Sequence, residues 1–475
     1  MKNKTYALAL FALTFIIVIY FSFSSCGGSN LIAKAGSDGV ITCEEYTEIK
    51  LSILPKSREL AVLFESPGKI DDEKLKDFII NHVNIRSGSL KFNDCKEEIT
   101  EVGLYLENSL SMIGYISNAS DFQKNTLDLY SSLGHKNKAS TYLVNRNLEP
   151  KGNIPTSGLA DIISSQSKFV SAGSNISDLN KVLENVLANT KANNISIITS
   201  DFIYSLEGQN LVVVGGVTKD LFLKNSKRIK DLSVLLIQMD SQFNGLYYDM
   251  NNKPVQLSKV RRPYYYMVVG SSDMVEKFSN IIKVNKLNGF LNSYYLTSKK
   301  QEPFQKILVG TESIGRMKVD TNNPNKIELS KPVNNQVQFS IAVDLSKYPD
   351  QSKLLDAANY KISQGYKIEK IEKINPDNNP TKVNVNDWVT LKSATATHYI
   401  VVKNVGFPLK NDLILSLENN QPGWIKASST DNDTNITQNL DKTFGLLHLV
   451  NGISDAFEQI NDGDNSFFTL KYKIN

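Results

Sequence analysis

Histidine, cysteine and tryptophan are scarce in this chain: four, three and two residues respectively among 475. The histidines, His82, His135, His398 and His448, show no ligand-like spacing, and no HExxH, GxSxG, P-loop or CxxC pattern occurs. The local signatures of zinc proteases, serine hydrolases, phosphate-cradling loops and dithiol redox sites are therefore missing. A strong charge of either sign is missing too. The net charge is +4, and setting aside Lys2 and Lys4 leaves 51 basic against 49 acidic residues. That balance, with no basic stripe interleaved with aromatics, gives no reason to expect nucleic acid as a partner. No internal repeat and no long low-complexity tract is visible.

What is present begins with the N-terminus. Lys2 and Lys4 precede an almost wholly apolar run from Tyr6 to Phe23, which leads into Phe23-Ser24-Ser25-Cys26-Gly27-Gly28. A charged start, an apolar stretch and small residues at a cleavage point form an export signal. With its cysteine just after the small residues, the segment resembles a bacterial lipoprotein signal, which implies that residues 1–25 are removed and Cys26 is lipidated. Phe23 departs from the leucine usual there. The competing reading is an uncleaved anchor, since about 18 apolar residues just span a bilayer. Both readings tether the protein to a membrane outside the cytoplasm. Gly27 lacks the aspartate that retains some lipoproteins at the inner membrane, which tilts the expectation toward the outer one. Cys43 and Cys95 are then an even pair in a compartment where disulfides persist. A bridge between them and two buried free thiols are both open.

Residues 26–98 read as a tether and an N-terminal segment with one amphipathic helix, Asp71 to Val83. From 99 to 290 apolar strands alternate with helical runs: strands at 102–106, 140–144, 195–198, 232–239 and 264–269, helices at about 110–132 and 175–189, and a helix start at Gly270-Ser271-Ser272-Asp273. Such alternation predicts a mostly parallel, doubly wound α/β sheet covered on both faces. In Arg261-Arg262-Pro263-Tyr264-Tyr265-Tyr266 the tyrosines read as the start of a strand with alternate rings buried. Residues 291–475 carry short strands between Asn/Asp/Pro/Lys-rich turns, which predicts a β-rich region of β-sandwich type, interrupted by a helix at about 446–460. Trp388 and Trp424 are expected in packing. Asp462-Gly463-Asp464-Asn465-Ser466 and Asp431-Asn432-Asp433 read as turns.

The chemistry-bearing pattern lies where strands are predicted to end. The first runs into Glu107-Asn108-Ser109-Leu110-Ser111, the strand at 195–198 runs into Thr199-Ser200-Asp201-Phe202, and Ala172-Gly173-Ser174-Asn175 opens a helix between them. Ligand sites of doubly wound sheets form at the carboxyl ends of strands. These loops would join two carboxylates to three hydroxyls, hard oxygen donors suited to Mg²⁺ or Mn²⁺. Met239-Asp240-Ser241 is expected to end another strand near the same edge. The competing reading makes Ser109 and Asp201 plain helix caps.

At these residues the chain resembles a von Willebrand factor A domain, whose metal-ion-dependent adhesion site is Asp-x-Ser-x-Ser, then Thr, then Asp. The resemblance implies that Glu107, Ser109 and Ser111 form the first loop, Ser174 the second and Asp201 the third. Glu107 stands where that family has Asp, and Ser174 where it has Thr. It further implies that the bound ion completes its coordination with an acidic side chain of a protein partner. Ile198-Thr199-Ser200-Asp201 also resembles the metal-binding strand end of alkaline-phosphatase-like hydrolases, but those follow the aspartate with His, and this chain has Phe202. The sequence thus leads to a noncatalytic, lipid-anchored envelope protein that binds a protein partner through a cation-dependent site. The alternatives are a structural assembly subunit with a degenerate metal site and, behind it, a metal-dependent hydrolase. Cys26→Ser is expected to abolish incorporation of labelled fatty acid into the expressed chain, and unchanged labelling would remove the lipid anchor.

Overall fold

The computed structural model of the chain divides into two compact units, Met1–Glu97 and Glu98–Asn475. In the first unit it describes residues 40–42, 45–46, 49–50, 60, 62–66, 69–82 and 90–92. In the second it describes residues 99–475 apart from 117–118, 135–136, 171–177, 205–209, 350–352, 376–382, 394–395, 405 and 407–411. The export signal, Cys26, Cys43, Cys95, Ser174 and His135 therefore lie outside the described residues. Among those described, no helix is long and apolar enough to cross a membrane.

The first unit contains β1 (Val40–Ile41), β2 (Phe64–Ser66), β3 (Lys69–Ile70), α1 (Asp72–His82) and β4 (Lys91–Phe92). Leu75 and Ile79, one turn apart on α1, bury against Ile41, Tyr46, Ile49 and Leu63, as the helical spacing predicts. Asp71 starts the helix, its carboxylate accepting the backbone N–H groups of Glu73 and Lys74.

The second unit opens with β5 (Glu101–Glu107), α2 (Asp121–Gly134), β6 (Lys138–Val144), β7 (Leu148–Gly152), α3 (Thr156–Ile163), α4 (Gln166–Phe169), α5 (Leu179–Asn189) and β8 (Asn194–Ser200). It continues with α6 (Leu211–Ser226), β9 (Leu232–Tyr248), β10 (Pro254–Ser271), α7 (Ser272–Ile281) and β11 (Phe290–Thr297). Seven strands form one sheet in the order β11-β9-β10-β8-β5-β6-β7. Strands β5, β6 and β8 are parallel, as alternation with helices predicts. The rest differs. Instead of two parallel strands joined by a helix, β9 and β10 are the long arms of an antiparallel hairpin, and β10 inserts between β9 and β8. The turn at its tip is held by Asp249, whose Oδ1 accepts from the N–H groups of Asn251 and Lys253 at 2.9 Å. The two predicted apolar strands are the inner halves of these arms.

All three tyrosine rings of β10 are buried, not alternate ones, because each face of the sheet is covered. Tyr264 and Tyr266 point to α2, where their hydroxyls meet Asn125 Nδ2 at 3.0 Å and Thr126 Oγ1 at 3.1 Å. Tyr265 points the other way, to Thr443 Oγ1 at 3.0 Å. Period-two alternation on a strand buried twice produces this pattern.

The remaining strands are β12 (Gln305–Leu308), β13 (Arg316–Val319), β14 (Lys326–Ser330), β15 (Gln338–Val343), β16 (Tyr360–Ile362), β17 (Tyr366–Lys373), β18 (His398–Asn404), β19 (Leu413–Glu418), β20 (Ser429–Thr430), β21 (Thr443–Phe444) and β22 (Ser466–Ile474). They make a four-stranded sheet, β12-β15-β18-β17, a five-stranded one, β13-β14-β22-β19-β16, and the short pair β20–β21. This region is β-rich, as expected. Ile341, Val343, Ile400 and Val402 face a core shared with Leu413, Leu415 and Leu470. Their neighbours Ala342, Tyr399 and Val401 face the opposite way, onto Leu391, with Trp388 packed against the same cluster.

The helix α8 (Leu446–Ile460) is where the sequence places it, but its partner is α6 of the α/β sheet. The two cross so closely that a Cβ on Gly452 would lie 2.3 Å from the Gly215 carbonyl oxygen. Gly452→Ala is therefore expected to destabilise the unit by about 1–3 kcal/mol through overpacking. Gly216→Ala, on the open side of α6 with nothing within 4 Å, should stabilise it by about 0.5–1 kcal/mol through helix propensity. Urea denaturation of both variants checks the pair.

Candidate functional site

The two strand-end loops meet where β5 and β8 lie side by side. Glu107 closes β5, and its Oε2 accepts a hydrogen bond from the Ser200 hydroxyl at the end of β8. The Ser200 oxygen in turn accepts the Phe202 N–H at 2.7 Å. Asn108 is anchored from three sides: its N–H donates to Val144 O at 3.0 Å, its Nδ2 to Phe169 O at 2.9 Å, and its Oδ1 accepts from Asn145 Nδ2 at 2.9 Å. The next residues form a 3₁₀ turn, Leu110–Ile116. This turn rests on β9 because Gly114 has no side chain: a Cβ there would lie 2.3 Å from the Phe243 ring. At its start, Ser109 Oγ and Ser111 Oγ stand 2.9 Å apart.

Asp201 lies one residue past β8 and is almost completely buried. Its Oδ1 accepts the Ile203 N–H at 3.2 Å, while Phe202 between them adopts φ +51°, a left-handed conformation uncommon for a bulky residue. Oδ2 is buried and has no hydrogen bond of regular geometry among the described residues. Burial raises the Asp201 pKa, and the nearby Ser111 hydroxyl, the Ile203 N–H and the Arg262 guanidinium oppose that rise. The structure thus brings Glu107, Ser109, Ser111, Ser200 and Asp201 together, and Ser174 lies outside the described residues.

These residues are not the caps of α2 or α6. Ahead of α2 the cap is Ser120, which exchanges hydrogen bonds with Gln123: Gln123 N–H to Ser120 Oγ at 3.3 Å and Ser120 N–H to Gln123 Oε1 at 2.9 Å, a capping box. Ahead of α6 the cap is Asn210, whose Oδ1 accepts the Val213 N–H at 3.0 Å. Neither Ser109 nor Asp201 caps α2 or α6; Ser109 directly precedes the 3₁₀ turn.

No group of three or more His, Cys, Asp or Glu converges as a metal cage among the described residues. A cation here would depend on hydroxyls beside Asp201. The chemistry fits a hard divalent ion in part: a buried carboxylate oxygen without a regular donor, next to paired serine hydroxyls. Glu107 is directed to Ser200.

Three residues were missed or misplaced by the sequence. Asp240 does not end a strand. It sits within β9 and pairs with Arg261, which also reaches Asp121 at 3.1 Å. Its neighbour Arg262 goes to the interior. Arg262 is fully buried, donates to the carbonyls of Leu440 at 3.3 Å and Lys442 at 3.1 Å, and lies with Cζ 4.5 Å from the Tyr247 ring centre. Asp433, from the predicted turn, is also buried, bonding the Tyr247 hydroxyl and accepting the Met250 N–H at 2.8 Å. Adjacent arginines on a strand point to opposite faces, but nothing local says which one is covered. By contrast Asp464 does form a plain turn, accepting from Ser466 N at 3.0 Å and Ser466 Oγ at 2.7 Å.

The described histidines stand elsewhere. His82 bonds Phe78 O on α1, His448 pairs with Asp431, and His398 is buried in β18, where burial lowers its pKa to about 4.

Comparison of the chain with protein-family models, with curated proteins and with solved structures finds no match.

The raised Asp201 pKa has a consequence for stability. A carboxyl that is easier to protonate in the fold than in the unfolded chain costs nothing at low pH, and its cost grows as pH rises through the unfolded value, 3.8, toward the folded one. Asp201→Asn keeps the Oδ1 acceptor and removes that cost. In EDTA its stability relative to wild type is expected to improve from pH 4 to pH 7. A difference independent of pH in urea titrations would contradict the raised pKa.

Proposed function

We propose that this chain is a noncatalytic, membrane-anchored lipoprotein of the cell envelope that docks a protein partner at the strand-end cluster. The sheet is read as von Willebrand A-like, with the ends of β5 and β8 carrying the first and third loops of that family's site, and the C-terminal region as β-sandwich-like. The antiparallel β9–β10 hairpin is this chain's own variation on that plan. Ser109, Ser111 and Asp201 would hold Mg²⁺ or Mn²⁺, with Ser174 supplying the hydroxyl of the remaining loop. Glu107 would act from behind, through Ser200. The ion would supply an open coordination position for an acidic side chain of the partner.

The observation that carries this reading is the buried Asp201 Oδ2, which has no donor of regular geometry among the described residues, with the Ser111 hydroxyl near the carboxyl. Buried carboxylate oxygens are normally satisfied, so this one favours a ligand. A second reading, a structural assembly subunit that works without metal, is favoured by the positive charge of Arg262 acting on the same carboxyl.

Calorimetric titration of Mg²⁺ and Mn²⁺ into the detergent-purified protein is the test. Saturable binding that is lost in Ser109→Ala/Asp201→Ala is the expected result. Absence of binding by folded wild type would remove the cation-dependent mechanism and leave the structural subunit.

A further inference from the structure

Arg262 is the cation that this interior already contains. Removing a guanidinium from water costs several kcal/mol unless other groups compensate it. Its partners here are the two carbonyl dipoles of Leu440 and Lys442 and the face of Tyr247. None of these carries a charge. Compensating charge must come from anions in the same interior, and two are near. Asp433 has both oxygens engaged, one by the Tyr247 hydroxyl and one by the Met250 N–H. Asp201 has one oxygen engaged, by Ile203, and the other without a regular donor.

Strand pairing explains why Arg262 and Asp201 share one neighbourhood. Tyr265 of β10 pairs with Ser200 of β8 in antiparallel register. Asp201 leaves β8 one residue beyond that pair, and Arg262 precedes it by three on the partner strand, so both lie at one end of the paired strands. Tyr115 marks the junction from a third element: it stands in the 3₁₀ turn with Ser111, donates to the Pro263 carbonyl, and feels the charges of both Arg262 and Asp201. Tyr247 feels both charges as well.

We propose that Arg262 is the resident counter-ion of the strand-end cluster and sets its cation affinity by competing with a divalent ion for the field of Asp201. This inference rests on the cation-binding reading of that cluster. Arg262 acts on Asp201 through space, so a second cation placed at the carboxyl would lie beside a fixed positive charge in a poorly solvated interior, where such repulsion is large. Arg262 is a positioning residue in this scheme and no ligand of the ion. It also carries the consequence outward, because the carbonyls it holds belong to the segment that closes over β10.

The test is Mn²⁺ binding to the full chain, followed by electron paramagnetic resonance of the free ion. Arg262→Gln is expected to bind Mn²⁺ about ten-fold or more tightly than wild type, as loss of one nearby charge requires. Arg262→Lys, which keeps the charge, should stay within a few-fold of wild type, and Arg262→Gln/Asp201→Asn should lose the gain. Near-UV circular dichroism reports whether each variant folds. Should Arg262→Gln not fold, Asp433→Asn reads the same balance in reverse: it removes the other acid competing for Arg262, and Mn²⁺ affinity should fall. Wild type that binds no Mn²⁺ while Arg262→Gln binds it would refute cation-dependent docking in the native protein and support the counter-ion. Wild type and folded Arg262→Gln that bind equally would overturn the counter-ion alone. No binding by either would overturn both.

Discussion

The constraint on which the second unit depends is that β10 must be covered on both faces. Its inner half, Arg262 through Gly270, is wholly buried, and three consecutive tyrosines send their rings alternately to opposite sides. One side is supplied locally by α2, the first α-helix after β5. The other side needs Thr443, the carbonyls of Leu440 and Lys442, and α8, all from nearly two hundred residues further on. The far C-terminal segment therefore returns across the α/β sheet before the last strand, β22, joins the β-rich region. Residues from all three larger sheets consequently belong to one hydrophobic core.

The same return path shapes the candidate site. A polar pocket at the end of β5 and β8 open to water would be solvated at little cost. Here Glu107, Asn108 and Asp201 are buried, so each charge and lone pair has to be met by protein or by a bound ion. Ser200 meets Glu107, and Phe169 and Asn145 meet Asn108. The balance between Asp201 and Arg262 is left to the site's own chemistry. How it falls bears on the choice between the two readings proposed above.

Much of the secondary structure was legible because local patterns carried it. Asn194–Ser200 is an apolar run buried on both faces, Leu179–Asn189 and Leu446–Ile460 show helical spacing, and Ser272 begins a helix where β10 ends at Gly270-Ser271. The helix Leu211–Ser226 was not read, since its apolar residues run almost all round it instead of along one stripe. Nor was the hairpin: the residues between Met239 and Tyr264 are mostly polar, and they pair with one another beyond the buried part of the sheet. Of the site residues, Glu107, Ser109, Ser111 and Asp201 were named from their place after apolar strands. Arg262 and Asp433 gave no such signal, because an arginine or aspartate in a polar stretch reads as solvated until something covers it.

By itself the sequence determined where the central parallel strands lie, that polar oxygen-bearing residues follow two of them, and that the C-terminal region is β-rich. Each of these is a property of short segments, set by periodicity and by the residues that end an apolar run. Only the tertiary structure decided that β9 and β10 pair with each other, that α8 packs on α6 through Gly452 and Gly215, and that Arg262 shares an interior with Asp201. Those outcomes join residues from a few tens to more than two hundred positions apart, and burial, which turns an ordinary charge into an energetic constraint, exists only once such distant segments have met.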